Sequence, residues 1–100
     1  MPMFCFHCRD GENGAALRKI HRDAHLAHVA NNQQDYAMAG PLERGGQVVG
    51  SLLILNGEDE ADARAKFERD PYFAAGVWQA IRVDAFNLVV SSLDQRILNA

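Results

Sequence analysis

Apolar and polar positions alternate along this chain with two periods, and the switch between them marks out six elements. From Met3 to Cys8 the period is two: Phe4 and Phe6 fall on one face and Cys5 and His7 on the other, which predicts a strand. Arg9 to Gly14, with Asp10-Gly11 and Asn13-Gly14, reads as a polar turn. From Ala15 to about Asn32 the period is helical, with Leu17, Ile20, Ala24, Ala27 and Ala30 as an apolar stripe. Asp23 suits an N-cap, so the segment is one long helix or two short pieces. Tyr36 to Leu42 is a second strand, which Gly40-Pro41 confine to a sheet margin or a bend. Glu43 to Gly46 is a loop, with Gly45-Gly46 suited to positive φ, and Val48 to Leu55 is the strongest strand. Asp59 is an N-cap for a helix over about Glu60 to Arg69 that turns Ala63 and Phe67 toward a sheet. Gln79 to Val90 supplies the last strand, with a change of phase near Ala85-Phe86. Ser91 to Asp94 has capping-box character and predicts a helical turn in the tail.

The order β-α-β-β-α-β predicts an α+β fold of the ferredoxin-like, split βαβ kind: an antiparallel sheet with two helices on one face. One domain is expected over residues 1–90, followed by a tail over 91–100. Both faces of Val48 to Leu55 are apolar, as in strands buried on both sides. Two helices cover one face only, so a second copy packed sheet to sheet is expected on the other, over side chains such as Val49, Leu53, Leu55 and Ile81.

Composition narrows the functional classes. One hundred residues, 48% hydrophobic and 23% charged, suit one globular domain. A net charge of −3 without a basic block argues against nucleic acid. No apolar run is long enough to span a membrane, and the N-terminus lacks the layout of a signal peptide, so a cytoplasmic location is expected. Cys5 and Cys8 have C-x-x-C spacing, but in a strand residues three apart point to opposite faces and cannot share an ion. They are read as free thiols in a reducing compartment.

Two features carry chemistry. Asp70-Pro71-Tyr72-Phe73-Ala74-Ala75-Gly76 fixes a carboxylate at a rigid corner, because Pro71 stops the preceding helix. Asp70 either accepts backbone N–H bonds in that turn or edges a pocket. His21, His25 and His28 have helical spacing, and without a Glu after His21 as in H-E-x-x-H a metal site is not favoured; His21 and His28 are read as a solvated flank. His25, between Arg22 and Leu26, can exchange a proton near neutral pH, and Asp70 can fix its tautomer if the fold joins them. Ser51 is the polar side chain of an apolar strand; it either bonds a neighbouring carbonyl or lines a pocket.

The runs Arg22-Asp23-Ala24-His25-Leu26, Ala39-Gly40-Pro41-Leu42, Gly50-Ser51 and Asp70-Pro71-Tyr72-Phe73-Ala74-Ala75-Gly76-Val77 resemble, in order and spacing, the YciI family of YCII-related domains, over about residues 3 to 90. The resemblance implies a ferredoxin-like subunit in a dimeric α+β barrel, the class of muconolactone isomerases and antibiotic-biosynthesis-type monooxygenases. It also implies a cleft with a His–Asp pair, here His25 and Asp70, with Ser51 nearby. One branch of that family removes chloride from a chlorinated hydroxyhydroquinone. The expectation is therefore a homodimeric, cofactor-free enzyme without a metal. His25 and Asp70 would be catalytic, and Ser51, Arg22 and Tyr72 would bind a small cyclic or phenolic substrate. The alternative is a non-catalytic ligand-binding or interaction module of the same fold.

Overall fold

The structure, a computed structural model, describes residues 1–93. Strand β1 (Met3–Asp10) lies inside a four-stranded antiparallel sheet, between β3 (Gln47–Asn56) and β4 (Trp78–Phe86), with β2 (Tyr36–Arg44) at the edge beyond β3. Helix α1 (Gly14–Asn31) links β1 to β2 through a 3₁₀ turn, Gln33–Asp35. Helices α2 (Glu60–Phe67) and α3 (Pro71–Ala75) link β3 to β4. The fold is α+β, the split βαβ arrangement of ferredoxin-like domains, with α3 as an extra turn of helix. No described helix is long and apolar enough to cross a membrane.

Local chemistry accounts for each element. Gly45 and Gly46, at φ of 58° and 79°, form a two-residue turn whose positive φ matches the twist of the β2–β3 hairpin. Pro41 sits on the edge strand, where a missing N–H costs least. The Asp59 carboxylate caps α2 by accepting from the Asp62 N–H at 2.8 Å. Ala63 and Phe67 face the sheet, and the Phe67 ring stacks on Phe6 (centroids 4.4 Å apart) and on Trp78 (5.3 Å). Burying a side chain of this size contributes roughly 1.5–3 kcal/mol. Phe4, Cys8, Leu53, Leu55, Tyr72 and Val77 complete the core between sheet and helices. Strand β4 stops at Phe86 rather than Val90, residues 87–93 have no regular structure, and the helical turn expected in the tail falls largely outside the described residues.

Two faces differ from the pattern reading. Leu53, Leu55 and Ile81 do not look toward a second copy: Leu53 and Leu55 are buried in the core, and Ile81 packs against it. The outward face of β3 carries Leu52 and Ile54 instead, opposite His7 and Cys5 of β1. A strand apolar on both sides gives no signal of which side is inward, so only the pairing partners decide.

Helix α1 is a single 18-residue helix without a restart at Asp23, and of its apolar stripe Leu17 packs against the core while the rest faces out. Ile20 is 71% exposed, and Ala24 and Ala27 are exposed, whereas Gly14 is buried and Leu17, Arg18, His21, His25 and His28 are half-buried. His21 and His28 are thus no solvated flank; the His28 ring meets Tyr36 edge-on. Magnitudes explain the rotation. Turning Ile20 inward would gain roughly 1.5–3 kcal/mol. It would strip Arg18 and His25 from the buried or half-buried carboxylates Asp10 and Asp70, and each unpartnered charge costs several kcal/mol.

Candidate active site

Helix α1 presents two side chains to two carboxylates. Asp70 is fully buried at the start of α3, where Pro71 occupies the first helical position. Its Oδ1 accepts from the Tyr72 N–H at 2.9 Å, which caps the helix, and also from His25 Nδ1 at 2.8 Å. A carboxylate is acceptor only, so the proton of neutral His25 sits on Nδ1 and the lone pair on Nε2. Among the described residues, Asp70 Oδ2 is the buried side-chain polar atom without a partner. Nε2 has no partner among the described residues, and the His25 side chain is 19% exposed. The His25 ring lies flat on Tyr72, centroids 3.9 Å apart and planes 5° from parallel, which fixes its direction.

The second pair lies two turns earlier. Arg18 Nε and Nη2 donate to the two oxygens of Asp10 at 2.7 and 2.9 Å. Nη2 also reaches the Gly50 carbonyl at 3.0 Å and Ser51 Oγ at 2.8 Å, and the guanidinium carbon sits 5.2 Å from the Tyr72 ring centre. Gly14 makes room for this pair: a Cβ there would lie 2.7 Å from Asp10 Cβ and Oδ2. A bulge between β1 and β4 brings Trp78 opposite Asp10 and leaves Gln79 exposed. Trp78 Nε1 then donates to Ser51 Oγ at 3.3 Å. Ser51 is therefore 6% exposed and engaged by Arg18 and Trp78; it supports the wall from behind and does not face an open cleft.

An open cleft of about 570 Å³ lies between α1 and the β2–β3 hairpin. Ala15, Arg18, Lys19 and Arg22 line one side, Pro41, Gln47 and Val48 the other, with Tyr72 between. Consecutive residues Leu42 and Glu43 pair with Gly50 and Val48, so Val49 bulges out of register and Val48 turns toward the helix side. Of the five expected site residues, Arg22 and Tyr72 line this cleft. His25, three residues past Arg22, stacks on Tyr72 at its margin, Asp70 lies behind His25, and Ser51 lies behind Arg18. Burial dominates the nearby weak acids: it pushes the Cys8 thiol up to about 12, with Asp70's charge adding to it, and raises the phenols of Tyr36 and Tyr72. Cys5 and Cys8 are free thiols on opposite faces of β1. The described residues hold no cluster of three His, Cys, Asp or Glu placed for a metal.

The YCII-related domain family model matches residues 2–87. The chain belongs to that family. No curated protein matches it. Among solved structures, this YCII-related domain is similar to 5-chloro-2-hydroxyhydroquinone dehydrochlorinase from Burkholderia phenoliruptrix in complex with 2,5-dihydroxybenzoquinone. That match has 24% identity and a TM-score of 0.76, and covers 85% of this chain and 93% of the other. An uncharacterized NIPSNAP domain protein from Burkholderia xenovorans matches at 15% identity and a TM-score of 0.52, covering 94% of this chain and all of the other. At these identities the likeness is one of fold.

Asp10, Arg18, Lys19 and Trp78 were not among the residues expected at the site. Arg18 reads in sequence as one more charge off an apolar stripe, and Asp10 as part of a turn. The available signal was the spacing Asp10–Gly14–Arg18, an acid, a small residue and a cation at four-residue steps across a strand-to-helix junction.

Proposed function

We propose that this YCII-related domain is a small cofactor-independent enzyme that uses His25 and Asp70 to move a proton on a small cyclic or phenolic substrate. The observation that carries the reading is the asymmetry of His25: Nδ1 bound to a fully buried carboxylate, and Nε2 without a partner among the described residues, in a ring that stacks on the cleft residue Tyr72. Nε2 takes a proton from a C–H or O–H group of the ring, and Asp70 stabilises the imidazolium that forms. In an elimination, the electron pair of the broken C–H bond becomes the new π bond and the leaving group departs with its own pair. In an isomerisation, Nε2 returns the proton to another carbon. Arg22 and Tyr72 bind the substrate, and Ser51 acts through Arg18. The likeness to a dehydrochlorinase makes chlorinated hydroxyhydroquinones the first compounds to assay, by chloride release, followed by phenols and lactones. Loss of turnover in His25→Ala with an unchanged melting temperature supports the reading; unchanged turnover refutes it.

One observation favours the alternative of a non-catalytic ligand module: His25 borders the cleft without being part of its wall. If no compound in the panel turns over but one binds, that reading replaces the first. The protein is proposed to work as a homodimer through the outward sheet face around the half-buried Leu42 and Leu52, in a compartment that keeps its thiols reduced. Leu52→Asp is expected to give a folded monomer by light scattering. Leu53→Asp, which places a charge in the core, is expected to unfold the chain.

A further inference from the structure

We propose that the cleft seats a carboxylate, so that the substrate is a ring compound carrying a fixed negative charge, which Lys19 and Arg22 hold. This deepens the reading of the same cleft as the substrate site and rests on it. Three cations line the cleft, and they are not equivalent. Arg18 is neutralised by the two-point contact with Asp10, and its Nε and Nη2 hydrogens are already used. Lys19 and Arg22 have no ion pair or side-chain hydrogen bond among the described residues. A chain of net charge −3 thus holds two uncompensated positive charges side by side in its cleft. Such a placement raises the local concentration of anions and repels cations.

The rest of the lining selects within the anions. Ala15, Pro41, Val48 and Tyr72 offer apolar surface to a ring, and Gln47 offers an amide opposite the cations. The planar fork of Arg22 matches a carboxylate at two points. Arg22 and His25 are three residues apart on one helix, roughly 4.5 Å along its axis. A ring held at Arg22 therefore lies at the part of the cleft nearest His25, whose ring stacks on the cleft residue Tyr72. Cleft volume is ample for a single-ring acid, at about 570 Å³.

The test is calorimetric titration with benzoate and with its uncharged isostere benzamide. Wild type is expected to bind benzoate at least about tenfold more tightly than benzamide at low salt, with the gap closing as salt rises. Arg22→Gln should remove most of the gap and Lys19→Gln a smaller part, with benzamide affinity unchanged in both. Equal affinity for the two compounds, or a gap that survives the double variant, overturns the proposal. So does inorganic phosphate competing with benzoate as an equal, since charge alone would then suffice. His25→Ala separates this proposal from the catalytic one. A benzoate preference that persists there, while wild type turns over nothing, refutes proton transfer and keeps the carboxylate seat. Turnover confined to uncharged rings does the reverse.

Discussion

Helix α1 offers a cation or an imidazole to a carboxylate twice, at Arg18–Asp10 and at His25–Asp70, and the two pairs are finished differently. At Arg18, both carboxylate oxygens are bonded and the guanidinium is held further by Gly50 and Ser51. At His25, one carboxylate oxygen carries both bonds, the other has none, and one ring nitrogen is open. The two pairs meet at one ring, since Tyr72 stacks on His25 and also lies under Arg18. A saturated pair holds its place whatever arrives in the cleft. An unsaturated pair keeps capacity for a proton, and buried polar groups left short of partners in native structures call for such an explanation. Under the proposed function, the difference suits Arg18–Asp10 to support and His25–Asp70 to proton transfer.

The largest effect that would break this comparison is on turnover. His25→Ala is expected to lower the rate on the eventual substrate by about 10²–10⁴-fold, the range for a positioned acid–base group, with the fold intact by circular dichroism. Asp70→Asn is expected to cost less than full loss, because an amide still holds the ring but does not stabilise its charge. Equal losses in the two variants would mean that Asp70 does more than orient and stabilise.

The next effect is on stability, and it should fall on the other pair. Asp10→Ala leaves the half-buried Arg18 guanidinium without its counter-charge, at a cost of about 1–3 kcal/mol in urea unfolding. Asp70→Asn should change stability by less than that, since it keeps the N-cap acceptor and removes a buried charge. If Asp70→Asn proves the more destabilising, the assignment of support and chemistry is reversed.

Much of this arrangement could be read from the sequence, and the part that could not has a physical cause. The Asp59 and Asp70 caps, the Gly45-Gly46 turn, the edge position of Pro41 and the inward Ala63 and Phe67 follow from local rules about backbone donors, φ and helical period. The short α3 hides in the sequence because five residues complete too few turns to show a period. The rotation of α1 does not follow from its apolar pattern, because its energy is set by Asp10 and Asp70, which lie on other elements. For the same reason the Arg18 network went unseen: Ser51 and Trp78 join it through sheet register and a bulge, which are long-range facts.

The smallest effect is the most direct measure of the comparison, because one thiol reads both carboxylates. Cys8 sits on the core face of β1, fully buried, and its thiol is pushed up to about 12, first by burial and then by the charge of Asp70. Asp10 pushes the same way but is the weakest of the contributions, while Arg18 pulls the thiol down. The sign for stability follows from a raised folded pKa on an acid. The neutral thiol is favoured in the fold, so this contribution is complete below the unfolded value near 9.0 and is lost as the pH climbs toward about 12. Alkaline titration of thiolate ultraviolet absorbance, in a Cys5→Ser background, should show Cys8 ionising only as the pH approaches about 12. Asp70→Asn should move the titration downward by a fraction of the burial effect, and Asp10→Asn by less. The order matters more than the size. The orphaned oxygen of Asp70 faces the interior with no donor to spread its charge, whereas both oxygens of Asp10 share theirs with Arg18. A larger shift from Asp10→Asn would show that the Arg18 pair, and not the His25 pair, leaves its charge uncompensated inside the fold.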